Sequence, residues 1–329
     1  MVIKNIISNN KHNAFTDIIS WNDSKYLAFR ESLNHISHQS KILIFRSTNN
    51  ENWENIHQFS LVDGDVRDPK FAVIDGNLFI YILRNDNVAA LPNSTYFSYT
   101  NDGTNWAQLQ RVYKEGWNFW RPKSFDMQTW YVAAYNHEKT KSILLESQDG
   151  IFWKETSTIY NDRNHSEVEI EFTKIGNMIC SIRKQGAFSS STIIGFSEFP
   201  YQEWNFFQDK TIRLDGPRLF RIDESIYAIA RSDFPIKRGI FHTVGGILNR
   251  KRTSLFQISE SGLIKDLTDF PSAGDTSYAG ITIFNENIFI SYYSSGLDYD
   301  LPWFIGHFFP TNIYVIETTE DYFRSIILK

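Results

Sequence analysis

The chain has 329 residues, a formal net charge of −5 and 33 basic against 38 acidic side chains, without a basic run. This balance argues against nucleic acid as the main partner. No run of about 18 apolar residues occurs, so no membrane span is expected, and the single cysteine, Cys180, excludes an intramolecular disulfide. The first twenty residues lack a continuous apolar stretch, so no signal peptide is expected and the chain is predicted to be cytoplasmic.

A hairpin-like pattern recurs along the chain at intervals of roughly fifty residues. Each copy has an alternating apolar run, a turn with Asn, Asp or Gly, and a second apolar run, which is typical of a β-hairpin. The six copies span Asp17–Arg30, Asp68–Arg84, Pro122–Tyr135, Glu169–Arg183, Pro217–Arg231 and Tyr278–Tyr292. The pattern predicts one domain over residues 1–329, an all-β, six-bladed β-propeller of four-stranded antiparallel blades.

A polar turn ending in tryptophan follows each of the first three hairpins at one spacing. The copies are Ser47–Trp53, Thr100–Trp106 and Ser147–Trp153, with looser versions at Ser197–Trp204 and Ser259–Gly262. In such a turn Asp or Asn caps backbone N–H groups and Gly takes a positive φ. We expect these turns to join the third and fourth strands of the blades.

The two ends of the chain are predicted to meet. No fourth strand is evident after the sixth hairpin, so Val2–Ile7 is predicted to complete the last blade, and Glu317–Leu328 is the one stretch with a helical period. The insertion Phe234–Arg252 and the aromatic loop Gly296–Pro310 are long enough to form lids or subunit contacts. A homo-oligomer is therefore left open.

Charged side chains concentrate where the hairpins begin and end, near the predicted axis. Because the innermost strands of a propeller line a central channel, ligands bind at its mouth. The set comprises Arg30, Glu31, His35, Arg67, Asp68, Arg121, Glu167, Glu169, Arg183, Arg218, Arg231, Asp275 and Tyr278. Converging arginines repel unless they face carboxylates or an anionic ligand. The set predicts an anion-binding mouth, although any single arginine here has an inter-blade ion pair as its alternative.

The tryptophan turns resemble the Asp-box, S-x-D-G-x-x-W, of sialidase-type propellers, and the site segments resemble that superfamily as well. The fourth hairpin starts with Glu167 and reaches Arg183 sixteen residues later, and the sixth opens with Asp275-Thr-Ser-Tyr278. The resemblance implies that Tyr278 is the nucleophile, that Glu167 polarises it and that Arg183 grips a substrate carboxylate. Strand alternation places Glu167 and Glu169 on the same face, so the spacing alone selects Glu167.

The chain also departs from the sialidase pattern. The first blade reads Ala14-Phe15-Thr16-Asp17 where the family has an arginine, and the loop that follows its hairpin contains no Asp for the acid/base role. Arg30 is a candidate substitute clamp, His35 or Glu31 a substitute acid, and Arg218 or Arg231 the third clamp. Arg67-Asp68-Pro69 resembles the R-D-P element of other glycosidase propellers, in which Asp acts on ring hydroxyls or as a catalytic carboxylate.

Three functions remain open at this point. The first is an exo-acting glycoside hydrolase for an acidic, sialic-acid-like sugar, without a metal or cofactor. Its predicted catalytic residues are Tyr278, Glu167, His35 and Asp68. Its predicted substrate-binding residues are Arg30, Arg67, Arg183, Arg218, Arg231, Glu169 and Asp275. The second is a non-catalytic glycan-binding or scaffolding propeller, and the third is an enzyme of different chemistry, such as a lyase or a hydrolase using Asp68 and Glu167 as a carboxylate pair.

Overall fold

A computed structural model describes residues 1–49, 51–87, 89–185, 191–234 and 248–327. Most of the predicted insertion Phe234–Arg252, residues 235–247, lies outside this part of the chain. The described residues are dominated by β-strands.

The strands are listed in chain order. Strands β1 to β9 span Val2–Ile7, His12–Trp21, Ser24–Ser32, Lys41–Ser47, Glu54–Phe59, Asp65–Ile74, Asn77–Asn85, Ser94–Thr100 and Gln110–Arg111. Strands β10 to β18 span Trp117–Phe119, Lys123–Ser124, Trp130–Asn136, Lys141–Ser147, Lys154–Asn161, His165–Phe172, Met178–Lys184, Ser191–Ser197 and Asn205–Asp209. Strands β19 to β25 span Asp215–Ile222, Ser225–Phe234, Arg250–Ile258, Ile264–Phe270, Thr276–Phe284, Asn287–Ser295 and Thr311–Thr319.

Several hairpins close through two residues in the left-handed backbone region. Asn22 and Asp23 have φ values of 45° and 55° between β2 and β3, and Asp75 and Gly76 have 48° and 73° between β6 and β7. Two successive positive φ values match the right-handed twist of the flanking strands. Asn, Asp and Gly tolerate this conformation best, so these turns follow from the sequence.

The described strands form five hydrogen-bonded sheets. Three are four-stranded antiparallel sheets, β6–β9, β15–β18 and β19–β22, and a fourth runs β10-β12-β13-β14 with the short β11 also paired to β12. The last sheet has eight strands, in the order β23-β24-β25-β2-β3-β4-β5 with β1 on β25. Within it, two antiparallel four-strand sets are joined only by the parallel pair His12 and Thr311.

The N-terminal strand pairs where the sequence predicted. Residues Val2 to Ile7 of β1 run antiparallel to Glu317 to Ile313 of β25, and Lys4 Nζ lies 3.0 Å from Glu317 Oε2. The helix predicted near the C-terminus is also confirmed: α2 spans Glu320–Ile327. A one-turn helix, α1, spans Trp303–Gly306 and precedes β25. No described helix is long and apolar enough to span a bilayer.

The inner strands of neighbouring sheets contact one another. Strand β2 contacts β6 and β23, β15 contacts β12 and β19, and β19 contacts β23. Aliphatic and aromatic side chains fill the spaces between neighbouring sheets, including Val66 and Phe71 of β6 against Ile42 and Ile44 of β4. The polar opening of each hairpin therefore lies near a common axis, which brings distant parts of the sequence together.

Candidate active site

Five central strands carry a β-bulge at the same position, near their beginning. The pairing register shifts between Ala14 and Asp17, Arg67 and Lys70, Ser166 and Glu169, Asp215 and Arg218, and Ser277 and Gly280. The first bulged residue has a positive φ in each case: Phe15, Asp68, Glu167, Gly216 and Tyr278 lie between 48° and 58°. A bulge re-aims a side chain, and strain of this kind concentrates at functional sites.

The four bulge residues that have side chains line one cavity. It has a volume of about 190 Å³, and its walls include Phe15, His35, Arg67, Asp68, Tyr135, Lys139, Glu167, Gln185, Arg183, Arg231, Tyr278 and Trp303. A larger cavity of about 640 Å³ lies among surface side chains near Phe152 and Phe199. We place the candidate site in the smaller cavity because buried titratable groups converge there.

Tyr278 and Glu167 form a hydrogen-bonded pair in this cavity. The Tyr278 hydroxyl donates to Glu167 Oε1 at 2.6 Å, and the Gly216 N–H donates to Glu167 Oε2 at 2.8 Å. A methyl group on Gly216 would lie 2.6 Å from Tyr278 Cγ, so glycine makes room for the ring. Burial first, and the Glu167 charge second, raise the pKa of Tyr278 well above its ordinary value. The phenol is therefore neutral at rest and has a proton acceptor in place.

Two arginines flank Tyr278. Arg183 Nη1 also donates to Glu167 and lies 3.3 Å from the Tyr278 hydroxyl, while the Arg231 guanidinium lies 5.3 Å from the Tyr278 ring centroid. Asp215 holds both cations, at 2.8 Å from Arg183 Nε and 3.5 Å from Arg231 Nη2. The surrounding arginines hold the pKa of Asp215 far below its usual range in spite of burial. The arrangement fixes two guanidinium groups beside the phenol.

Asp68 and Arg67 form another part of the cavity wall. Arg67 Nη2 donates to Asp65 Oδ2 at 2.7 Å and to the His35 carbonyl at 3.0 Å. Asp68 is 7% exposed, and its Oδ1 has no hydrogen-bond partner among the described residues. Burial raises the pKa of Asp68, although Lys70 and Arg67 oppose the shift. This carboxyl group is suited to carrying a proton.

His35 and Asp275 form a dyad at the edge of the cavity. His35 Nδ1 and His12 Nε2 lie 3.0 and 3.1 Å from Asp275 Oδ2, while Tyr293 and Trp303 each donate to Asp275 Oδ1 at 3.0 Å. Burial lowers the pKa of His35 to about 3, so the ring is neutral near pH 7. Asp275 also lies 3.3 Å from Arg231 Nη1. The dyad therefore helps to position Arg231.

His12, His35 and Asp275 also present three metal-ligand atoms within 4.8 Å of one another. Metal-bound histidines usually donate their second ring N–H to an acceptor. His12 Nδ1 has no such partner among the described residues, whereas its Nε2 lies 3.1 Å from Asp275 Oδ2. The three residues are accounted for as a hydrogen-bonded group and do not fit a metal centre.

Comparison by sequence identifies no relative: no protein-family model and no curated protein matches the chain. Solved structures do match. Phage phi92 endosialidase has a TM-score of 0.68 at 10% identity, over 97% of this chain and 69% of that one. NanB sialidase from Streptococcus pneumoniae has a TM-score of 0.67 at 10% identity, over 97% of this chain and 71% of that one. Trypanosoma rangeli sialidase has a TM-score of 0.68 at 10% identity, over 97% of this chain and 56% of that one. The fold is a sialidase-like β-propeller. Identities this low show the fold alone.

The side chains of Glu167 and Glu169 point to different partners, although strand alternation predicted that they share one face of the strand. The bulge between Ser166 and Glu169 turns Glu167 towards Tyr278, whereas Glu169 is fully buried and lies 3.0 Å from Arg121 Nη1 and 3.2 Å from Arg218 Nη1. Neither Glu169 nor Arg218 lines the cavity. Both residues, which were predicted to bind substrate, belong to an ion-pair network that crosslinks neighbouring sheets.

Arg30 is likewise absent from the cavity wall. It is fully buried, with Nε at 2.8 Å from Asp65 Oδ1 and Nη1 donating to Ser32 and to the Asn34 carbonyl. Its Nη2 also lies 2.8 Å from Asp65 Oδ1, so the predicted substitute clamp faces a buried ion pair and does not line the cavity. Asp275 also lies behind the wall and contacts Arg231 and His35. The structure brings Tyr278, Glu167, Asp68, His35, Arg67, Arg183 and Arg231 into one cavity.

Sequence reasoning missed Gly216, Asp215, His12 and Lys139. Gly216-Pro217 repeats the X-Pro pattern of Asp68-Pro69, and proline interrupts a strand ladder. Aligning these dipeptides across the repeats marks the bulge position in two strands. The roles of Asp215 and His12 depend on contacts with distant strands, and no local signal indicates them.

Proposed function

We propose that this protein is an exo-acting glycoside hydrolase for an acidic, sialic-acid-like sugar. The observation that carries the proposal is the hydrogen bond from Tyr278 to Glu167 between Arg183 and Arg231. A sugar with a carboxylate on its anomeric carbon repels a carboxylate nucleophile, whereas a neutral phenol meets no such repulsion. Tyrosine nucleophiles are the known exception to the two-carboxylate rule of glycosidases. The cavity wall also supplies Arg67, Arg183 and Arg231 to bind the substrate carboxylate.

In the first step Tyr278 Oη bonds to the anomeric carbon as the glycosidic C–O bond breaks. The phenol proton passes to Glu167, which already accepts its hydrogen bond. Asp68 donates its proton to the departing oxygen, a role consistent with its raised pKa. His35 is neutral and held by Asp275, so we assign it no proton transfer. The products of this step are the free alcohol and a tyrosyl glycoside.

In the second step water replaces Tyr278 on the anomeric carbon. The Asp68 carboxylate accepts a proton from the attacking water, and Glu167 returns its proton to the departing phenolate. Both carboxyl groups are then restored to their starting states. Two displacements on one carbon give net retention of configuration.

The test is turnover of fluorogenic acidic-sugar glycosides by the wild type and by Tyr278→Phe. We expect the wild type to release the fluorophore with retention, and kcat of the variant to be lower by about a hundredfold or more. Thermal unfolding and binding of the free sugar serve as controls, because the substitution removes one hydroxyl group from the cavity. Equal kcat values in the two proteins would refute the proposal.

One observation favours a non-catalytic glycan-binding propeller as the second candidate. The stretch Ala14-Phe15-Thr16-Asp17 contains no arginine where the sialidase pattern has one, and Phe15 lines the cavity there, so the clamp lacks that member. Under this alternative the cavity binds an acidic sugar without cleaving it. Calorimetric binding together with no turnover of the whole glycoside panel would select this function.

We also propose six blades and Asp-box turns for the propeller. Support for the count comes from the eight-stranded sheet, whose two antiparallel halves are joined by a single parallel residue pair. Counting each half as one blade, together with the other four sheets, gives six blades. Support for the turns comes from Asp102 and Asp149, whose Oδ1 atoms each accept two backbone N–H groups from the following residues at 2.7 to 2.8 Å. An experimental density map with any other blade count would contradict this proposal.

A further inference from the structure

Lys139 is a cavity-lining cation outside the mechanism described above. It lies in the turn between β12 and β13 and is partly buried. Its Nζ donates to the neutral Gln185 Oε1 at 3.1 Å. The turn is fixed, because the Lys139 N–H donates to the Asn136 carbonyl at 2.9 Å and the Lys139 carbonyl accepts from His165 N–H at 3.3 Å. A rigid turn therefore presents this ammonium group at the cavity.

Lys139 differs from the other cations of the cavity wall in its partners. Arg67 is paired with Asp65, Arg183 with Glu167 and Asp215, and Arg231 with Asp215 and Asp275. Within the described part of the chain Lys139 makes no ion pair, and no Asp or Glu side chain occurs in the remaining segments. Glu167 is its acidic neighbour but is already engaged by Tyr278, Arg183 and Gly216.

A partly desolvated charge without a counter-ion is costly, and the cost falls when an anion binds. Burial and the nearby Arg183 charge both lower the pKa of Lys139, which is the expected effect of such surroundings. The arginines beside Tyr278 already account for one substrate carboxylate. Lys139 thus provides a separate positive charge in the same cavity.

We propose that Lys139 binds a second negative charge on the substrate, so that the preferred substrate is an acidic sugar joined to a further anionic sugar. This inference rests on the proposed function of the same site. The preference comes from one charge-assisted hydrogen bond, which is worth roughly tenfold or more in affinity. Because Lys139 is only partly buried, added salt weakens the preference.

The test uses two non-hydrolysable, sulfur-linked disaccharides of sialic acid. One retains both carboxylates, and in the other the carboxyl group of the second sugar is reduced to an alcohol. Calorimetry at low salt measures both Kd values for the wild type, Lys139→Met and Lys141→Met. Lys141 is the matched control, because it lies two residues along the chain and pairs with Glu155 at 3.4 Å on the outer face.

We expect the wild type and Lys141→Met to prefer the dianionic ligand by roughly tenfold or more, and Lys139→Met to bind both ligands about equally. Equal preference in the wild type and Lys139→Met would overturn the inference alone. An equal loss of affinity for both ligands in Lys139→Met would also overturn the inference, because it would mean that Lys139 binds the carboxylate that the two ligands share. Absence of binding by either ligand would overturn the inference together with the acidic-sugar assignment.

Discussion

Asp68 shows how one backbone position changes the chemistry of a carboxyl group. Its left-handed φ of 50° turns the side chain into a wall that excludes most solvent. Burial, with smaller contributions from Glu167 and Asp65, disfavours its charged form and outweighs the opposing effect of Lys70 and Arg67, so the pKa of Asp68 is raised. The acid form therefore persists to a higher pH than in an ordinary aspartate.

The expected pH dependence follows from this shift. Catalysis needs protonated Asp68, so the rate is present below the raised pKa and is lost as the pH rises through it. In Asp68→Asn we expect this loss of rate at high pH to disappear from the pH–rate profile. We also expect kcat to fall about a hundredfold for substrates with alkyl leaving groups. Phenol leaving groups depart with less need of a proton and should suffer less. Rate profiles for both substrate types check this, and an unchanged alkaline limb in the variant would count against Asp68 as the acid.

Glu167 and Glu169 show the limit of reading single residues from a sequence. Their spacing in an ideal strand puts both side chains on one face, yet one contacts Tyr278 and the other Arg121. The sixteen-residue spacing to Arg183 selected the correct glutamate for the cavity. Alternation alone could not, because an extra residue in the strand resets the period and leaves the apolar pattern unchanged.

The repeated bulge is the element that builds the cavity. It places five residues from separate strands at equivalent points around the centre, and four of them have side chains in one wall. Hairpin turns such as Asn22-Asp23 were predictable because their residue types favour positive φ. The bulges at Phe15 and Tyr278 were not, since these residue types have no such preference. Packing around the axis imposes their backbone conformation.

Gly216 is the point at which this element is most sensitive to change. In Gly216→Ala the new methyl group would lie 2.6 Å from Tyr278 Cγ, so the ring must move and its hydrogen bond to Glu167 is lost. We expect kcat/KM to fall about a hundredfold and the free energy of unfolding to fall by roughly 1–3 kcal/mol. Enzyme kinetics and urea unfolding measure the two effects.

Gly76→Ala is the matched control for this prediction. Gly76 has a φ of 73° and nothing within 4 Å of the added methyl group. Its replacement by alanine therefore strains the left-handed backbone without a steric clash against a side chain. We expect it to lose some stability and to keep its activity. Full activity in Gly216→Ala would contradict the role assigned to the bulge.

At the scale of the whole molecule, strand β1 from the beginning of the sequence pairs with β25 from its last part. Strand β1 supplies the outer partner of β25, and Ile3, Ile6 and Ile7 pack against the adjoining cores. Removing residues 1–10 would expose the edge of β25 and this apolar surface. We expect a loss of several kcal/mol in the free energy of unfolding, by comparison with about 25 cal/mol per Å² of exposed apolar area.

Thermal and urea unfolding of the truncated chain check this expectation. Val2→Ser is the control, because Val2 is 55% exposed and its replacement leaves the strand pairing in place. A truncated protein as stable as the full chain would show that β1 is dispensable for closure.

The sequence was most informative at this largest scale. Recurring hairpins predicted a propeller of four-stranded antiparallel blades, and the missing last strand predicted the pairing of Val2–Ile7. The same repeat directed attention to the charged ends of the hairpins, and the resemblance to sialidase segments selected Tyr278, Glu167 and Arg183, which line one cavity. Partners such as Asp215 were not predictable, because contacts between distant strands define them.

The most direct measurement is to trap the sugar on the enzyme. An acidic sugar with fluorine beside the anomeric carbon and fluoride as leaving group forms the covalent intermediate quickly and releases it slowly. Peptide mass spectrometry of the treated protein should place one sugar on Tyr278. A sugar found on Glu167 or Asp68, or turnover with inverted configuration and no adduct, would contradict the tyrosine mechanism.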